Sequence, residues 1–280
     1  LIMKKFILQK MHVDNPGLVK YTLKDEGNLI VINDLIGKSL TFIHTENKYC
    51  SVCDAKVKKF FGQGFCYPCF RDAPENSECI IRPELCLGHE GKGRDPEWEI
   101  KHHLQPHVVY LALTSAVKVG VTRKISTVSR WIDQGAWKAV VLAEVPNRYL
   151  AGKLEVALKS HMTDKTNWRK MLTNNMNFDF DLAARRTQIE ELLPEEFKEY
   201  VREDEEVLEI TYPVLNYPEK VKSLNFDKTP EISGVLEGVR GQYLFFDGGR
   251  VLNIRKFTGY EVTLSCEDSL QEDASQMTLF

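Results

Sequence analysis

Two pairs of cysteines in the sequence have a spacing that suits a metal ion. Cys50 and Cys53 form one CxxC unit, Cys66 and Cys69 form the other, and twelve residues separate them. Two such units let four thiolates converge tetrahedrally on one ion while the intervening chain forms a hairpin. Structural Zn²⁺ suits this pattern best, with a disulfide pair or an iron–sulfur cluster as alternatives. A closed four-cysteine site has no open coordination position, so its predicted role is to fold this segment.

A second, less regular set of ligand-type residues follows. Cys79, Cys86 and His89 supply three ligands, and further histidines stand at positions 102, 103 and 107. We predict His103 as the fourth ligand, because a loop of about a dozen residues can bring it back to the other three. The pattern predicts a second zinc site that holds the next strand against the first site. The alternative is a buried thiol at Cys79 with the histidines at the surface.

Three strands and a helix are predicted after these histidines. Apolar runs at 108–113 and 117–121 are joined by only three residues, too few for a crossover, so they predict a β-hairpin. A third apolar run at 139–145 predicts another strand. Apolar side chains at helical spacing over 148–161 predict a helix that follows it.

The polar residues on these elements resemble the GIY-YIG nuclease superfamily, especially its branch whose second motif reads KIG. Tyr110 in VVY matches the first-motif tyrosine, and Lys118 and Gly120 in KVG match the second motif. Many members carry a tyrosine where Lys118 stands. Arg130 matches the helical arginine, and Glu155 matches the metal-binding glutamate. The resemblance implies that Tyr110 and Arg130 act at the scissile phosphate, and that Glu155 holds one Mg²⁺ or Mn²⁺.

Elementary chemistry gives the same residues suitable roles. Phosphodiester hydrolysis needs an oriented nucleophile, a positive charge beside the pentavalent phosphorane and help for the leaving oxygen. A phenol, a guanidinium and a carboxylate-bound divalent ion supply these, and one carboxylate suffices when water and phosphate provide most ligands. Each residue also has a structural interpretation: Tyr110 as a strand aromatic, Arg130 as a surface cation, and Glu155 as the partner of Lys159.

The formal net charge of −3 conceals an uneven distribution. Residues 101–170 hold twelve lysines or arginines against four acidic residues, a local charge of +8, whereas residues 178–237 hold seven against sixteen. The central segment is therefore predicted to bind phosphates, and segregation of charge between helix faces is the alternative. The predicted nucleic-acid contacts are Arg123, Lys124, Arg148 and Lys159.

Length and composition predict an α+β protein of several units. With 280 residues and 43% hydrophobic content the chain can bury a sizeable core, and no apolar stretch is long enough for a membrane helix. Both ends of the chain are expected to share one β domain. The predicted units are a small antiparallel β unit (1–48), a zinc-binding region with a four-cysteine ribbon (49–106), a GIY-YIG-like three-stranded sheet with helices (107–177), an acidic helical segment (178–206), a small β-barrel-like unit (207–264) and a disordered tail (265–280).

The tail ends in QMTLF, which resembles the QLSLF-type peptide with which bacterial repair and replication proteins bind the polymerase sliding clamp. The resemblance implies that Gln276 is a polar anchor and that Leu279 and Phe280 enter an apolar pocket. A solvated tail that happens to end in Leu-Phe is the alternative.

Over a longer span that includes the cysteines, the chain also resembles an uncharacterised bacterial family of unknown function. The functional expectation is a cytoplasmic, zinc-containing, DNA-associated protein, a candidate metal-dependent endonuclease on structured DNA that the sliding clamp recruits. The second hypothesis is a binder of DNA or RNA that has lost the chemistry, because Lys118 replaces a tyrosine. A scaffold with purely structural zinc is the third. No membrane partner is expected.

Overall fold

The computed structural model describes residues 2–162, 166–203 and 205–267. These residues form an α+β fold with three β-sheets, and the predicted fold class is confirmed. The strands are β1 (Ile2–Ile7), β2 (His12–Asp14), β3 (Lys20–Lys24), β4 (Leu29–Val31), β5 (Ser39–Tyr49), β6 (Lys56–Val57), β7 (His107–Leu113), β8 (Val117–Arg123), β9 (Lys138–Val145), β10 (Leu208–Glu209), β11 (Lys222–Ser223), β12 (Glu231–Arg240), β13 (Tyr243–Phe246), β14 (Arg250–Asn253) and β15 (Tyr260–Glu267).

Helices connect these strands. The α-helices are α1 (Tyr67–Asp72), α2 (Pro96–His103), α3 (Thr127–Asp133), α4 (Arg148–Leu158), α5 (Trp168–Leu172) and α6 (Leu182–Glu191). Short 3-10 helices lie at Ile32–Leu35, Pro74–Asn76, Glu78–Ile80, Pro83–Leu85, Gly88–Glu90, Lys124–Ser126, Glu195–Tyr200, Asp247–Gly249 and Ile254–Phe257. In the described part of the chain, no helix combines the length and the apolar character that a membrane crossing requires.

The largest sheet contains both the first strand, β1, and the last strand, β15, of the described residues, as predicted. Its strand order is β1-β15-β5-β12-β13-β14-β11, with β6 paired to β5, and the register of the first pair runs from Ile2↔Cys266 to Ile7↔Glu261. The sheet is open, so the prediction of a barrel-like C-terminal unit is wrong. Its apolar face is covered by the small sheet β2-β3-β4 and by the central module, residues 107–177, so burial does not require closure.

The central module contains the three predicted strands in the antiparallel order β9-β7-β8, and β10 adds a fourth beside β9. Every residue of β7 is buried because both of its faces are covered. Val109 and Leu111 pack in a core with α4 and α6, whereas Tyr110 points to the other face, in the core shared with Trp131 and the large sheet.

Two buried polar side chains, Gln242 and Arg240, link the central module to the large sheet by hydrogen bonds. The Gln242 amide accepts a hydrogen bond from Met11 N–H (2.7 Å) and donates one to Asp133 Oδ1 at the end of α3 (2.8 Å). Arg240 donates to the Gly135 carbonyl oxygen (3.1 and 3.0 Å) and is only 1% exposed. Hydrogen bonding compensates the burial of both groups, and the turn after α3 is held in place.

The acidic segment is helical in two pieces. Helix α6 begins after Asp181, whose side chain accepts the Ala184 N–H (2.8 Å). Helix α6 ends at Glu191, and the 3-10 helix Glu195–Tyr200 begins directly after Pro194. Proline has no N–H to donate, so the chain cannot continue α6 through this position. The acidic residues of this segment lie mainly at its exposed side.

Candidate functional site

The first cysteine cluster has the geometry of a metal site. The ligand atoms of Cys50, Cys53, Cys66 and Cys69 all lie within 4.8 Å of one another. The distance from Cys53 Sγ to Cys66 Sγ is 3.7 Å, close to the edge of about 3.8 Å that follows from tetrahedral Zn²⁺ with Zn–S bonds of about 2.3 Å. The cluster is compatible with structural zinc, as the spacing predicts.

Local backbone geometry builds this cluster. Strand β5 ends directly before Cys50, and α1 begins directly after Cys66, whose Sγ accepts the N–H of Cys69 (3.5 Å). Burial by itself raises the pKa of the Cys50 thiol, but backbone N–H groups, including that of Cys66 (3.3 Å), lower it to about 6. These donors favour the thiolate, which is the form that binds metal.

The second cluster contains one residue that the sequence did not indicate. Cys79, Cys86, Glu99 and His103 bring their ligand atoms within 4.8 Å of one another, and all four side chains are buried. Hydrogen bonds, the strongest of them from the Cys86 thiol and others from His103 and Ser77, lower the pKa of Cys79 to about 4, and the interaction with Cys79 raises the pKa of Cys86. Glu99 and His103 stand four residues apart on α2, the spacing that puts two side chains on one helix face.

The structure does not place His89, which the sequence predicts as a ligand, among the four residues of this cluster. Its ring stacks on that of Tyr149, with 4.2 Å between the ring centroids, and its Nε2 lies 3.9 Å from Glu90 Oε1. His89 follows Cys86 at a regular zinc-knuckle spacing, and this spacing is the reason why the sequence favours it as a ligand. The i,i+4 pair on α2 could have indicated Glu99, but glutamates are too common in the sequence for that signal to be specific.

The remaining histidines have other neighbours. His102 stacks on Trp98 (4.2 Å between centroids) and its Nδ1 accepts a hydrogen bond from Arg123 Nη1 (3.2 Å). His107 is fully buried, and its Nδ1 donates to the Gln105 carbonyl oxygen (2.7 Å). Burial lowers the pKa of His107 to about 4, so this ring is neutral at physiological pH.

Tyr110 lies across the neighbouring strand β8. A Cβ atom at Gly120 would be 2.5 Å from the Tyr110 hydroxyl, so only glycine leaves room for the phenol. The Gln134 side-chain amide donates a hydrogen bond to that hydroxyl (2.8 Å), and the Trp131 ring meets the phenol ring edge-on at 6.0 Å. The Tyr110 side chain is held tightly and is 1% exposed.

The structure brings the three residues at the centre of the GIY-YIG-like pattern into one electrostatic neighbourhood. Burial raises the pKa of the Tyr110 phenol, the nearby Arg130 guanidinium opposes that rise, and the negative charge of Glu155 adds to it. The Glu155 side chain is 12% exposed, and its Oε2 lies 3.7 Å from Lys159 Nζ, the helix partner that the sequence also suggested. Lys118 is half-buried on β8, on the same face as Gly120.

The other predicted nucleic-acid contacts have different surroundings. Arg148 donates to the carbonyl oxygens of Cys79 (3.0 and 2.9 Å) and Ile80 (2.8 Å), so its guanidinium is already engaged by protein. Lys124 is exposed, and its Nζ lies 2.9 Å from Glu144 Oε1. Arg255 lies within electrostatic reach of Arg130. Gln276, Leu279 and Phe280 lie outside the described residues.

Comparison with known proteins identifies a family. No curated protein and no solved structure matches the chain. One family model, described as a protein of unknown function (DUF2797), matches residues 37–262, which include both cysteine clusters and the central module. The match spans most of the 280 residues, and the chain therefore belongs to the DUF2797 family.

Proposed function

We propose that the central module is a divalent-metal-dependent endonuclease centre that acts on structured DNA. The observation that carries the proposal is the electrostatic neighbourhood of Tyr110, Arg130 and Glu155, which come from β7, α3 and α4. A phenol, a guanidinium and a carboxylate at one place are the groups that hydrolysis of a phosphodiester needs.

Each of these groups has a distinct role in the proposal. The Tyr110 hydroxyl, or a water molecule that it orients, starts the attack on phosphorus, and the Gln134 amide fixes its direction. The Arg130 guanidinium stabilises the charge that develops on the phosphorane. The Glu155 carboxylate would hold Mg²⁺ or Mn²⁺, which supplies Lewis-acid stabilisation of the leaving oxygen. Lys118 would bind a flanking phosphate or assist proton transfer.

The burial of Tyr110 places a requirement on this mechanism. With 1% exposure, the phenol meets a substrate phosphate only if α3 moves away from β8 or the Gln134 amide is displaced. Binding energy from DNA phosphates on the surrounding cations can drive such a movement. The local charge of +8 over residues 101–170 supports a polyanionic substrate.

The partner and the location form part of the same proposal. The terminal QMTLF supports recruitment by the sliding clamp, and such recruitment favours DNA over RNA. The proposal places the protein in the cytoplasm, where the thiols of the two clusters stay reduced.

A cleavage assay tests the nuclease proposal. The purified full chain is incubated with supercoiled plasmid and with branched DNA in Mn²⁺ or Mg²⁺, next to Glu155→Gln and the matched surface control Glu191→Gln. We expect Glu155→Gln to lower the rate by about 100-fold or more, because it removes the metal carboxylate, and Glu191→Gln to cut at the wild-type rate. Equal cleavage by all three proteins would indicate a contaminant and refute the proposal.

A second candidate function is a nucleic-acid-binding adaptor without catalysis, for DNA or RNA. The buried phenol of Tyr110 and the lysine at position 118 favour it. Salt-dependent binding of DNA or RNA by wild type and Glu155→Gln alike, with no cleavage by either protein, would select this adaptor function.

Clamp recruitment has its own test. A pull-down with purified sliding clamp compares the wild-type chain with the double substitution Leu279→Ala and Phe280→Ala, and uses Thr278→Ala as the control. We expect the double variant to lose binding and the control to keep it, because the two apolar side chains provide most of the contact. Equal capture of all three proteins would exclude this motif as the contact.

A further inference from the structure

We propose that Cys79, Cys86, Glu99 and His103 form a second metal site, which holds Zn²⁺ with a glutamate as its fourth ligand. The ligand atoms of these four residues lie within 4.8 Å of one another in the interior of the protein. The proposal goes beyond the nuclease function and stands without it.

The two nitrogen–sulfur distances in this cluster fit tetrahedral zinc. The His103 Nδ1 atom lies 3.4 Å from Cys86 Sγ and 3.9 Å from Cys79 Sγ. Tetrahedral Zn²⁺ with bonds of about 2.3 Å to sulfur and about 2.0 Å to nitrogen separates these atom types by about 3.5 Å. Glu99 Oε2 approaches the same Nδ1 atom. The four side chains therefore each contribute one donor atom to a single small cluster.

The type of donor selects the metal. Two thiolates, one imidazole and one carboxylate are all ligands that Zn²⁺ accepts in proteins. Thiolates bind Mg²⁺ and Ca²⁺ poorly, because these hard cations prefer oxygen donors. The set also differs from the four cysteines of the first cluster, so the two sites can be distinguished by spectroscopy.

Burial makes a metal-free cluster unfavourable. Glu99 is 2% exposed and His103 is 3% exposed, and the Glu99 carboxylate lies against the His103 ring in the interior. A buried carboxylate beside two thiols requires a compensating cation or a complete set of donors. A bound Zn²⁺ provides that charge. Four protein ligands leave no open position, so the proposed site is structural rather than catalytic.

The proposed site positions helix α4. The segment between Cys79 and Cys86 lies so close to the helix that a methyl group on Gly152 would overlap the backbone nitrogen of Glu84. At the start of the helix, Arg148 binds the carbonyl oxygens of Cys79 and Ile80. Zinc would fix this segment, and the segment in turn fixes the helix.

Metal analysis of the full chain tests the proposal, with Glu99→Ala and the control His89→Ala beside the wild type. We expect two zinc ions per wild-type chain, one for each cluster. Glu99→Ala should lose one of them, and His89→Ala should retain both. One ion per wild-type chain would overturn the proposal. Loss from His89→Ala together with retention by Glu99→Ala would overturn the assignment of Glu99.

Cobalt absorption spectra of the wild type and Cys69→Ser test the second site without Glu99→Ala, in case that variant does not fold. The protein is reconstituted with Co²⁺, and the thiolate-to-cobalt absorption is compared with that of Cys69→Ser, which lacks a ligand of the first cluster. We expect Cys69→Ser to retain a tetrahedral cobalt spectrum with weaker thiolate absorption, from a site with two sulfur ligands. Complete loss of the tetrahedral bands in a folded Cys69→Ser protein would refute a second site. Neither measurement depends on nuclease activity.

Discussion

The two cysteine clusters of this protein differ in how their ligands are brought together. In the first cluster, all ligands come from residues 50–69, Cys53 is exposed, and the nearby backbone N–H groups point at sulfur. In the second cluster, the ligands span residues 79–103 and all are buried. The first cluster can form locally, whereas the second forms only when α2 packs against the preceding segment, which itself contacts α4. Loss of the second cluster should therefore affect the core more.

Loss of a sulfur ligand from each cluster should show this difference most clearly. We expect Cys86→Ser to reduce the free energy of unfolding by about 3 to 5 kcal/mol, because unpaired polar groups remain in the interior. Cys66→Ser should lose its zinc yet leave the unfolding transition of the core nearly unchanged. Thermal unfolding followed by near-UV circular dichroism measures both. A larger loss for Cys66→Ser than for Cys86→Ser would reverse the comparison.

The region around the second cluster, which includes His107, should also be more sensitive to acid than the region around the first cluster. The pKa of His107 is about 4 in the folded protein, below its ordinary value, because burial disfavours the charged ring. The contribution of His107 to the free energy of unfolding is therefore fully present above about pH 6.5 and is lost as pH falls towards 4. The loss amounts to at most about 3 kcal/mol. Urea unfolding across this range should give a steeper loss for wild type than for His107→Gln. Parallel curves for the two proteins would refute this assignment.

Disturbing the close contact between residues 83–84 and helix α4 should have a smaller effect on stability. Gly152→Ala should cost about 1 to 3 kcal/mol, because the added methyl group displaces the backbone at Glu84. The variant should also release zinc from the second cluster more readily and retain that of the first. Lys153→Ala, an exposed change on the same helix, is the control. Unchanged stability and zinc retention in Gly152→Ala would mean that the contact is looser than described.

Two arginines, one beside each cluster, should also differ in their effect on stability. Arg148→Ala removes three hydrogen bonds to the carbonyl oxygens of Cys79 and Ile80 and should cost about 2 kcal/mol. Arg71 pairs with Asp72 at the surface beside the first cluster, and Arg71→Ala should leave the melting temperature unchanged. Equal shifts in melting temperature for the two variants would contradict the difference in burial.

Local sequence patterns were sufficient to predict the strands and helix α4 of the central module and the ligands of the first cluster, but they did not indicate helix α2, which carries Glu99 and His103. The hairpin β7–β8, strand β9 and helix α4 follow from short-range apolar periodicity, and the first cluster follows from its two CxxC units. Local patterns could not predict whether the large sheet closes into a barrel or stays open. Whether β1 and β11 meet depends on what covers the apolar face of the sheet, and that covering comes from distant parts of the chain.

The residue types alone determined that the chain holds two clusters of soft ligands and a basic central segment. Only the tertiary structure decided that Glu99, and not His89, completes the second cluster, and that Arg148 binds backbone carbonyls. It also decided that the Tyr110 phenol is buried within electrostatic reach of Arg130 and Glu155. The physical reason is that the spacing of residues along the chain specifies only neighbours within a few turns, whereas burial and coordination depend on contacts between segments far apart in sequence.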